Sequence, residues 1–170
     1  MNRPRILLAD DHRMVAEGLR ALLEPDYELV GIVEDGRALL EAVERLRPNV
    51  VVADVSMPLL NGIDAVRQLK KKYPSLAVVF LTMHLDVDYA ASAVEAGALG
   101  YVLKHSAPSE LLTAIDHALK GRSYITPLLA EDLLAYQSRQ PKHRREGLDR
   151  LTPRQREVLQ LLAEGHSVKE

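Results

Sequence analysis

The sequence predicts an α/β protein built on a parallel sheet, and two patterns lead to this prediction. Short runs rich in branched apolar residues recur five times within the first 104 residues. Between these runs, apolar side chains repeat at helical spacing. Strands that alternate with helices are joined by right-handed crossovers and pair in parallel. We therefore expect a doubly wound (βα)5 domain with a five-stranded parallel sheet.

The five strands are predicted from their apolar runs. Several runs are continuously apolar, which is typical of strands that are buried on both faces of a parallel sheet. Ligands of such sheets usually bind outside the carboxyl ends of the strands, so functional residues are expected there. In chain order the runs are RILLAD (5–10), ELVGIV (28–33), VVVADV (50–55), AVVFLT (77–82) and GYVLK (100–104).

Five helices are predicted between and after these strands. Pro108 suits the first turn of the fifth helix, where its missing N–H is not needed. Gly97 and Gly121 suit left-handed ends of the fourth and fifth helices. The apolar residues that mark the helices are, in order, Leu19 and Leu23, Leu39 and Val43, Val66 and Leu69, Ala90 and Val94, and Leu111 and Ile115.

The chain is predicted to divide into a first domain, a linker and a helical tail. The first domain covers residues 1–121, and the linker covers 122–150 with a short amphipathic helix at 127–137. Within the linker, SRQPKHRREG (138–147) has four basic residues and no apolar one, so we expect a mobile spacer. The tail, 151–170, contains one amphipathic helix and the turn after it.

The composition is that of an ordinary globular protein. The chain has 170 residues, of which 47% are hydrophobic and 27% charged, and its net charge is −2. The absence of cysteine excludes a disulfide framework, a zinc-thiolate site and a thiol nucleophile. No apolar stretch approaches 18 residues, and the first residues lack the apolar region of a signal peptide. We expect a cytoplasmic protein without a membrane segment.

Three carboxylates are predicted to meet at one edge of the sheet. Asp10 and Asp11 end the first strand, and Asp54 lies near the end of the third. Three close negative charges repel one another unless a hard cation lies among them, and Mg²⁺ prefers such oxygen ligands. Singly, Asp10 and Asp11 could equally cap a helix, and Asp54 could be a turn residue. Their conjunction at matching strand ends favours a Mg²⁺ site.

A hydroxyl and an ammonium are expected at the same edge. Thr82 closes the fourth strand and Lys104 closes the fifth, although either could be an ordinary strand-end residue. Together with the acids they favour phosphoryl chemistry, in which an aspartate accepts the group while cations neutralise its oxygens. The sequence shows no glycine-rich phosphate loop and no arrangement of serine or threonine with histidine and acid for acyl transfer.

Over about residues 3–121, the motifs LLADDH, DVSMPLLNG, LTMH and AGALGYVLK occur in order. On these motifs the chain resembles a two-component response regulator of the NarL/FixJ type. The resemblance implies a flavodoxin-like receiver domain, a histidine kinase as phosphoryl donor, and Asp54 as the phospho-acceptor. It implies that the protein is not an enzyme, although it allows slow self-dephosphorylation. It also implies a homodimer, at least when phosphorylated, and leaves open which face dimerises.

The resemblance assigns roles to further residues. Asp11, Asp54 and the Ser56 backbone carbonyl would bind Mg²⁺, with Asp10 acting through water. His12 and His84 are candidate neighbours of the acidic edge, and neither is expected to bind metal. The resemblance assigns contacts with the phosphoryl group to Thr82 and Lys104, and a switch role to Tyr101.

The tail LTPRQREVLQLLAEGHSVKE (151–170) resembles the opening of a LuxR-type helix-turn-helix domain. Thr152 is its candidate N-cap, Pro153 suits the first helical position, and Gly165 suits its end. The DNA-reading helix would lie beyond residue 170, so we expect a truncated form without specific DNA binding, derived from a DNA-binding transcription regulator. Because a lone helix of this length is marginal in water, the tail should be disordered, docked on the receiver, or packed on another copy.

Three other functions remain open from the residues alone. A metal-dependent phosphatase could turn over a phospho-aspartate, although such enzymes usually carry the nucleophile on the first strand. A pseudo-receiver could serve only as a binding module, but the complete set of acids, hydroxyl and lysine disfavours it. A mononucleotide binder could share the architecture, but the acidic first turn disfavours an anionic cofactor.

Overall fold

The computed structural model describes residues 2–106, 108–139 and 152–165. Within these ranges, no helix combines the length and apolar character needed to cross a membrane. The strands are β1 (Arg5–Ala9), β2 (Glu28–Val33), β3 (Val50–Ala53), β4 (Ala77–Thr82), β5 (Gly100–Leu103) and β6 (Tyr124–Ile125). The helices are α1 (Arg13–Leu23), α2 (Gly36–Leu46), α3 (Gly62–Lys72), α4 (Val87–Glu95), α5 (Pro108–Leu119), α6 (Pro127–Arg139) and α7 (Pro153–Ala163).

The strands form one parallel sheet in the order β2-β1-β3-β4-β5-β6. The connections from β1 to β2 and from β3 to β4 run in opposite directions along the sheet. The ends of β1 and β3 are therefore adjacent at a topological switch point, where ligands of open α/β sheets bind. This arrangement confirms the predicted α/β class and the doubly wound fold.

Helices cover both faces of the sheet, because alternate side chains of each strand point to opposite sides. Ile6 and Leu8 of β1 belong to the hydrophobic cluster that α1 and α5 cover. Leu7 and Ala9 belong to the cluster on the other face, which α2, α3, α4 and α6 cover. All residues of β3 and β4 are buried, which accounts for their continuous apolar sequence.

Local sequence signals set several helix ends where they were predicted. Pro108 begins α5, and Gly97 and Gly121 have φ values of 103° and 73° just beyond α4 and α5. The Thr152 side chain accepts a hydrogen bond from the Gln155 backbone, and the Gln155 side chain accepts one from the Thr152 N–H. This reciprocal capping box starts α7.

Within the described residues, the structure corrects the predicted number of strands from five to six. β6 has only two residues, too few for a periodic pattern to reveal. It pairs with β5, where the Thr126 N–H donates to the Tyr101 carbonyl (2.9 Å). The chain then enters α6, whose Leu129 and Leu133 are buried in the cluster that includes α4. α6 therefore shares a hydrophobic core with the sheet.

Helix α7 lies against α3 and the loop that precedes it. Of the three outcomes expected for the tail, the structure thus shows docking on the first domain. Residues 140–151 and 166–170 lie outside the described residues. Of the predicted mobile spacer at 138–147, Ser138 and Arg139 instead belong to the end of α6, and the rest lies outside the described residues. The predicted turn after α7 is described only as far as Gly165, whose φ is 86°.

Candidate functional site

The acidic residues lie together beyond the carboxyl ends of β1 and β3. Asp10 and Asp54 directly follow these strands, and the Asp54 N–H donates to the Ala9 carbonyl (2.9 Å). Both carboxylates are buried, whereas Asp11 is exposed at the rim. Ligand atoms of the three acids and His12 all lie within 4.8 Å of one another. Parallel pairing of β1 with β3 thus brings together acids more than forty residues apart in the sequence.

Lys104 bridges the two buried carboxylates. Its Nζ lies 2.6 Å from an oxygen of Asp10 and 2.8 Å from an oxygen of Asp54. The Lys104 N–H donates to the Thr82 carbonyl (2.8 Å), which holds the residue at the end of the sheet. Burial by itself lowers the pKa of Lys104, but the hydrogen bonds to both acids outweigh this effect and raise the pKa. The ammonium therefore stays charged at neutral pH.

Thr82 and Tyr101 are fully buried, and both contact His84 in the loop after β4. The Thr82 hydroxyl accepts a hydrogen bond from the His84 N–H (3.2 Å), and the Tyr101 hydroxyl donates to the His84 carbonyl (2.8 Å). Burial, followed by the negative charge of Asp86, raises the pKa of Tyr101. Its phenol therefore remains a neutral donor. The backbone of His84 therefore links Thr82 with Tyr101. The resemblance assigns contact with the phosphoryl group to Thr82 and the switch role to Tyr101.

Ser56 and His84 meet beside Asp54. The Ser56 Oγ and the His84 Nε2 are 2.7 Å apart, and the His84 ring lies 4.6 Å from the Tyr89 ring. The Ser56 N–H donates to an oxygen of Asp54 (3.2 Å). Sequence reasoning named both residues but missed this contact, because they lie in loops that follow different strands. Only the adjacency of β3 and β4 brings the loops together.

The donor atoms at this edge suit a hard divalent cation. Asp10, Asp11 and Asp54 offer carboxylate oxygens, which Mg²⁺ prefers as ligands. The His12 Nδ1 lies 2.9 Å from Asp10 and 3.2 Å from Asp11, so this exposed histidine adds a nitrogen to the cluster. Because Mg²⁺ is typically bound by one or two carboxylates with retained water, the buried acids and open rim fit its chemistry.

The β3–α3 loop, residues 54–61, holds the site against α3. Leu59 has a φ of 66°, in the left-handed region that a branched side chain rarely adopts. At residue 62 a Cβ would lie 2.1 Å from the Asp54 carbonyl oxygen, so only glycine permits this approach. The Asn61 side chain accepts from the Asp64 N–H (2.9 Å) and caps α3.

Helix α7 contacts the β3–α3 loop through polar side chains that sequence reasoning did not single out. The Gln160 side-chain amide donates to the Met57 carbonyl and accepts from the Asn61 N–H, each at 2.9 Å. The Glu164 carboxylate accepts from the Leu59 N–H (3.0 Å). The partners are about a hundred residues apart, and no spacing pattern connects them.

Comparison with known sequences supports one family. Residues 6–116 match the family described as the response regulator receiver domain. The transcriptional regulatory protein DegU of Brevibacillus brevis is 34% identical over an alignment that covers 98% of this chain and 77% of DegU. Most of this chain therefore aligns with most of a transcriptional regulator.

Solved structures support the same family. A LuxR-family two-component response regulator from Aurantimonas sp. SI85-9A1 has a TM-score of 0.76 and 35% identity. The match covers 81% of this chain and 99% of that one. A structure of two RcsB dimers bound to two parallel DNAs has a TM-score of 0.72 and 30% identity. This match covers 99% of this chain and 81% of the RcsB chain.

Proposed function

The chain belongs to the family of response regulators with a receiver domain, and from that premise we propose that phosphorylation of Asp54 controls its role in transcription. One observation carries this assignment. Asp54 is buried among the acids at the switch point of the sheet, with the Lys104 ammonium 2.8 Å from its carboxylate. A carboxylate that is paired with a cation and surrounded by candidate ligands for Mg²⁺ is suited to accept a phosphoryl group.

The proposed reaction is phosphoryl transfer from a phosphohistidine of a sensor histidine kinase. An oxygen of Asp54 attacks the phosphorus, the P–N bond of the donor breaks, and the leaving imidazole takes up a proton. Lys104 lies where its ammonium can neutralise charge on the transferred oxygens. Slow self-dephosphorylation, the loss of this group to water, is the only turnover proposed.

We propose that Asp11, Asp54 and the Ser56 carbonyl hold Mg²⁺, with Asp10 acting through water. Bound Mg²⁺ supplies positive charge that neutralises oxygens of the phosphoryl group. Lys104 orients Asp10 and Asp54 through its two short contacts. The Ser56 N–H fixes the remaining oxygen of Asp54 by a hydrogen bond.

The proposed switch passes through Thr82 and Tyr101. A phosphoryl group adds about 1.5 to 2 negative charges and three acceptor oxygens. The Thr82 hydroxyl now accepts from the His84 N–H and keeps its own hydrogen, which it can donate to one of these oxygens when it moves toward Asp54. Because Tyr101 donates to the carbonyl of the same His84, movement there changes the surface before α4. Couplings of this kind are typically about 1 to 3 kcal/mol.

The proposed partners are a sensor histidine kinase, a second copy of the chain, and DNA. The similarity to RcsB, described as dimers bound to DNA, supports a homodimer at least when Asp54 is phosphorylated. The same similarity supports contact with DNA. With a kinase as the proposed donor and DNA as the proposed target, the proposed location is the cytoplasm.

Acetyl phosphate with Mg²⁺ tests the function, with intact mass and released phosphate followed together. We expect one stoichiometric phosphoryl adduct, which Asp54→Asn abolishes. Asp116→Asn is the matched control, because Asp116 is an exposed residue of α5 that pairs with Lys120 and is not among the acids of the site. This control should keep the adduct.

The same assay separates the alternative functions. Many turnovers of released phosphate per chain would indicate a phosphatase and contradict the regulator. No adduct on a folded chain would instead indicate a binding module without phosphorylation. An adduct that survives Asp54→Asn would show that another residue is the acceptor.

A further inference from the structure

Helix α7 binds the backbone of the β3–α3 loop directly. Gln160 and Glu164 together engage one carbonyl and two N–H groups of residues 57–61. The first of these groups, the Met57 carbonyl, is one residue beyond Ser56. α7 therefore restrains the segment that carries the proposed backbone ligand of Mg²⁺.

A buried ion pair anchors α7 at this position. The Arg156 Nε lies 3.1 Å from an oxygen of Asp64, whose side chain is only 2% exposed. Asp64 also accepts from Arg67 (2.9 Å) within α3, so the carboxylate is held between two guanidinium groups. A second pair joins Arg37 of α2 to Glu157 (2.6 Å). These contacts fix α7 against two helices that flank the loop.

The face that α7 turns toward the loop is polar, whereas Leu159 and Leu162 remain 46% and 49% exposed. Docking therefore leaves these two apolar residues of the helix exposed. The polar contacts also help to hold Leu59 at its positive φ, since Glu164 accepts from the Leu59 N–H. A strained backbone persists only where its surroundings hold it.

We propose that Gln160 and Glu164 are positioning residues that preorganise the β3–α3 loop and thereby raise the affinity of the site for Mg²⁺. A loop that is already ordered loses less conformational freedom when its carbonyl binds an ion. By linkage, Mg²⁺ strengthens the docking of α7 by the same factor. This inference rests on the proposed function, because it takes the acidic cluster to be a Mg²⁺ site.

Calorimetric titration of the full chain with MgCl₂ tests the proposal. Gln160→Ala removes the hydrogen bonds of this amide with Met57, Asn61 and Glu164 without changing charge. We expect the dissociation constant for Mg²⁺ to rise by about threefold to tenfold, the effect of losing one or two hydrogen bonds. Leu162→Ala, at an exposed residue of α7, is the control and should bind Mg²⁺ like the parent chain. Circular dichroism establishes that both variants are folded.

Two substitutions of Glu164 separate positioning from long-range charge. Glu164→Gln removes the negative charge but keeps an oxygen that can accept from the Leu59 N–H, whereas Glu164→Ala removes both. If positioning matters, Glu164→Gln retains most of the affinity and Glu164→Ala loses it. Equal losses in the two variants would show that only charge acts, and would overturn the assignment of Glu164.

Hydrogen exchange provides the reciprocal measurement. Mg²⁺ should slow exchange of the α7 amides and of the Leu59 and Asn61 amides, and Gln160→Ala should diminish this effect. Unchanged Mg²⁺ affinity in Gln160→Ala would overturn the inference while leaving the function intact. A parent chain that binds no Mg²⁺ would contradict the proposed metal site itself. Protection of α7 that grows with protein concentration would overturn docking within one chain in favour of docking between copies.

Discussion

Lys104 balances the charge of two acids that are almost completely removed from water. Its short contacts with Asp10 and Asp54 raise its pKa despite burial. Because the pKa is raised in the folded state, the stabilisation is fully present below the ordinary value of 10.5. It is lost as the pH rises through the higher folded value. At neutral pH the lysine therefore carries a positive charge that is paired with both carboxylates.

Lys104→Met should leave two buried carboxylates without their ammonium. We expect a loss of about 3 to 5 kcal/mol in the free energy of unfolding without Mg²⁺, the usual effect of breaking a buried pair. Mg²⁺ should restore stability more in this variant than in the parent, because a cation then replaces the ammonium. Urea unfolding with EDTA or with Mg²⁺ measures both effects.

Lys120→Met provides the control for the lysine substitution. Lys120 also pairs with an aspartate, Asp116, at 2.8 Å, but both side chains are more than half exposed. An exposed pair of this kind contributes about 0 to 1 kcal/mol. Equal losses for the two variants would contradict the importance of burial at Lys104.

At the scale of elements, the start of α3 depends on close contact between two pieces of backbone. The Gly62 N–H donates to the Val55 carbonyl (2.8 Å), and the Cα of Gly62 faces the Asp54 carbonyl. The loop can therefore fold back tightly and bring the helix beneath the site. Any side chain at this position must push the backbone of Asp54 away.

Gly62→Ala should lower the free energy of unfolding by about 1 to 3 kcal/mol or more, because the new Cβ would meet backbone at 2.1 Å. It should also slow formation of the phosphoryl adduct. Gly18→Ala in α1 is the matched control, with no atom within 4 Å of the added Cβ. There we expect a gain of about 0.5 to 1 kcal/mol from helix propensity. Urea unfolding of both variants measures these changes. A Gly62→Ala variant as stable as the parent chain would refute the close approach of residue 62 to the Asp54 carbonyl.

At the scale of the whole molecule, β6 and α6 extend the fold beyond the predicted boundary at residue 121. β6 covers the edge of β5, and α6 buries two leucines in the core that also contains α4. α7 joins through polar side chains instead. The two C-terminal helices are therefore held by different forces.

Chains that end at residue 121 or at residue 139 should differ in stability. The shorter chain loses the burial of Leu129 and Leu133, each of which contributes about 1.5 to 3 kcal/mol. It also exposes the edge of β5. We expect the chain 1–139 to unfold close to the full chain, and the chain 1–121 to be about 3 to 6 kcal/mol less stable. Similar urea midpoints for both would support the boundary at 121.

Much of the fold follows from short-range pattern. Periodicity located the five longer strands and the helices between them, and Pro108 and Thr152 marked helix starts through their local geometry. Parallel alternation of strands and helices then predicted that Asp10 and Asp54 would converge. Such inferences succeed because strand and helix periods, caps and crossovers depend on residues that are close in the chain.

Only the tertiary structure revealed the sixth strand, the contact of Ser56 with His84, and the hydrogen bonds of Gln160 with the β3–α3 loop. The amino-acid sequence by itself determined the α/β class, the helix and strand positions, and the acids at the strand ends. The remaining features depend on tertiary packing, which determines the loops and helix faces that lie side by side. The two residues of β6 are too few to carry a periodic signal, and one glutamine on a polar helix face gives no signal of a partner about a hundred residues away.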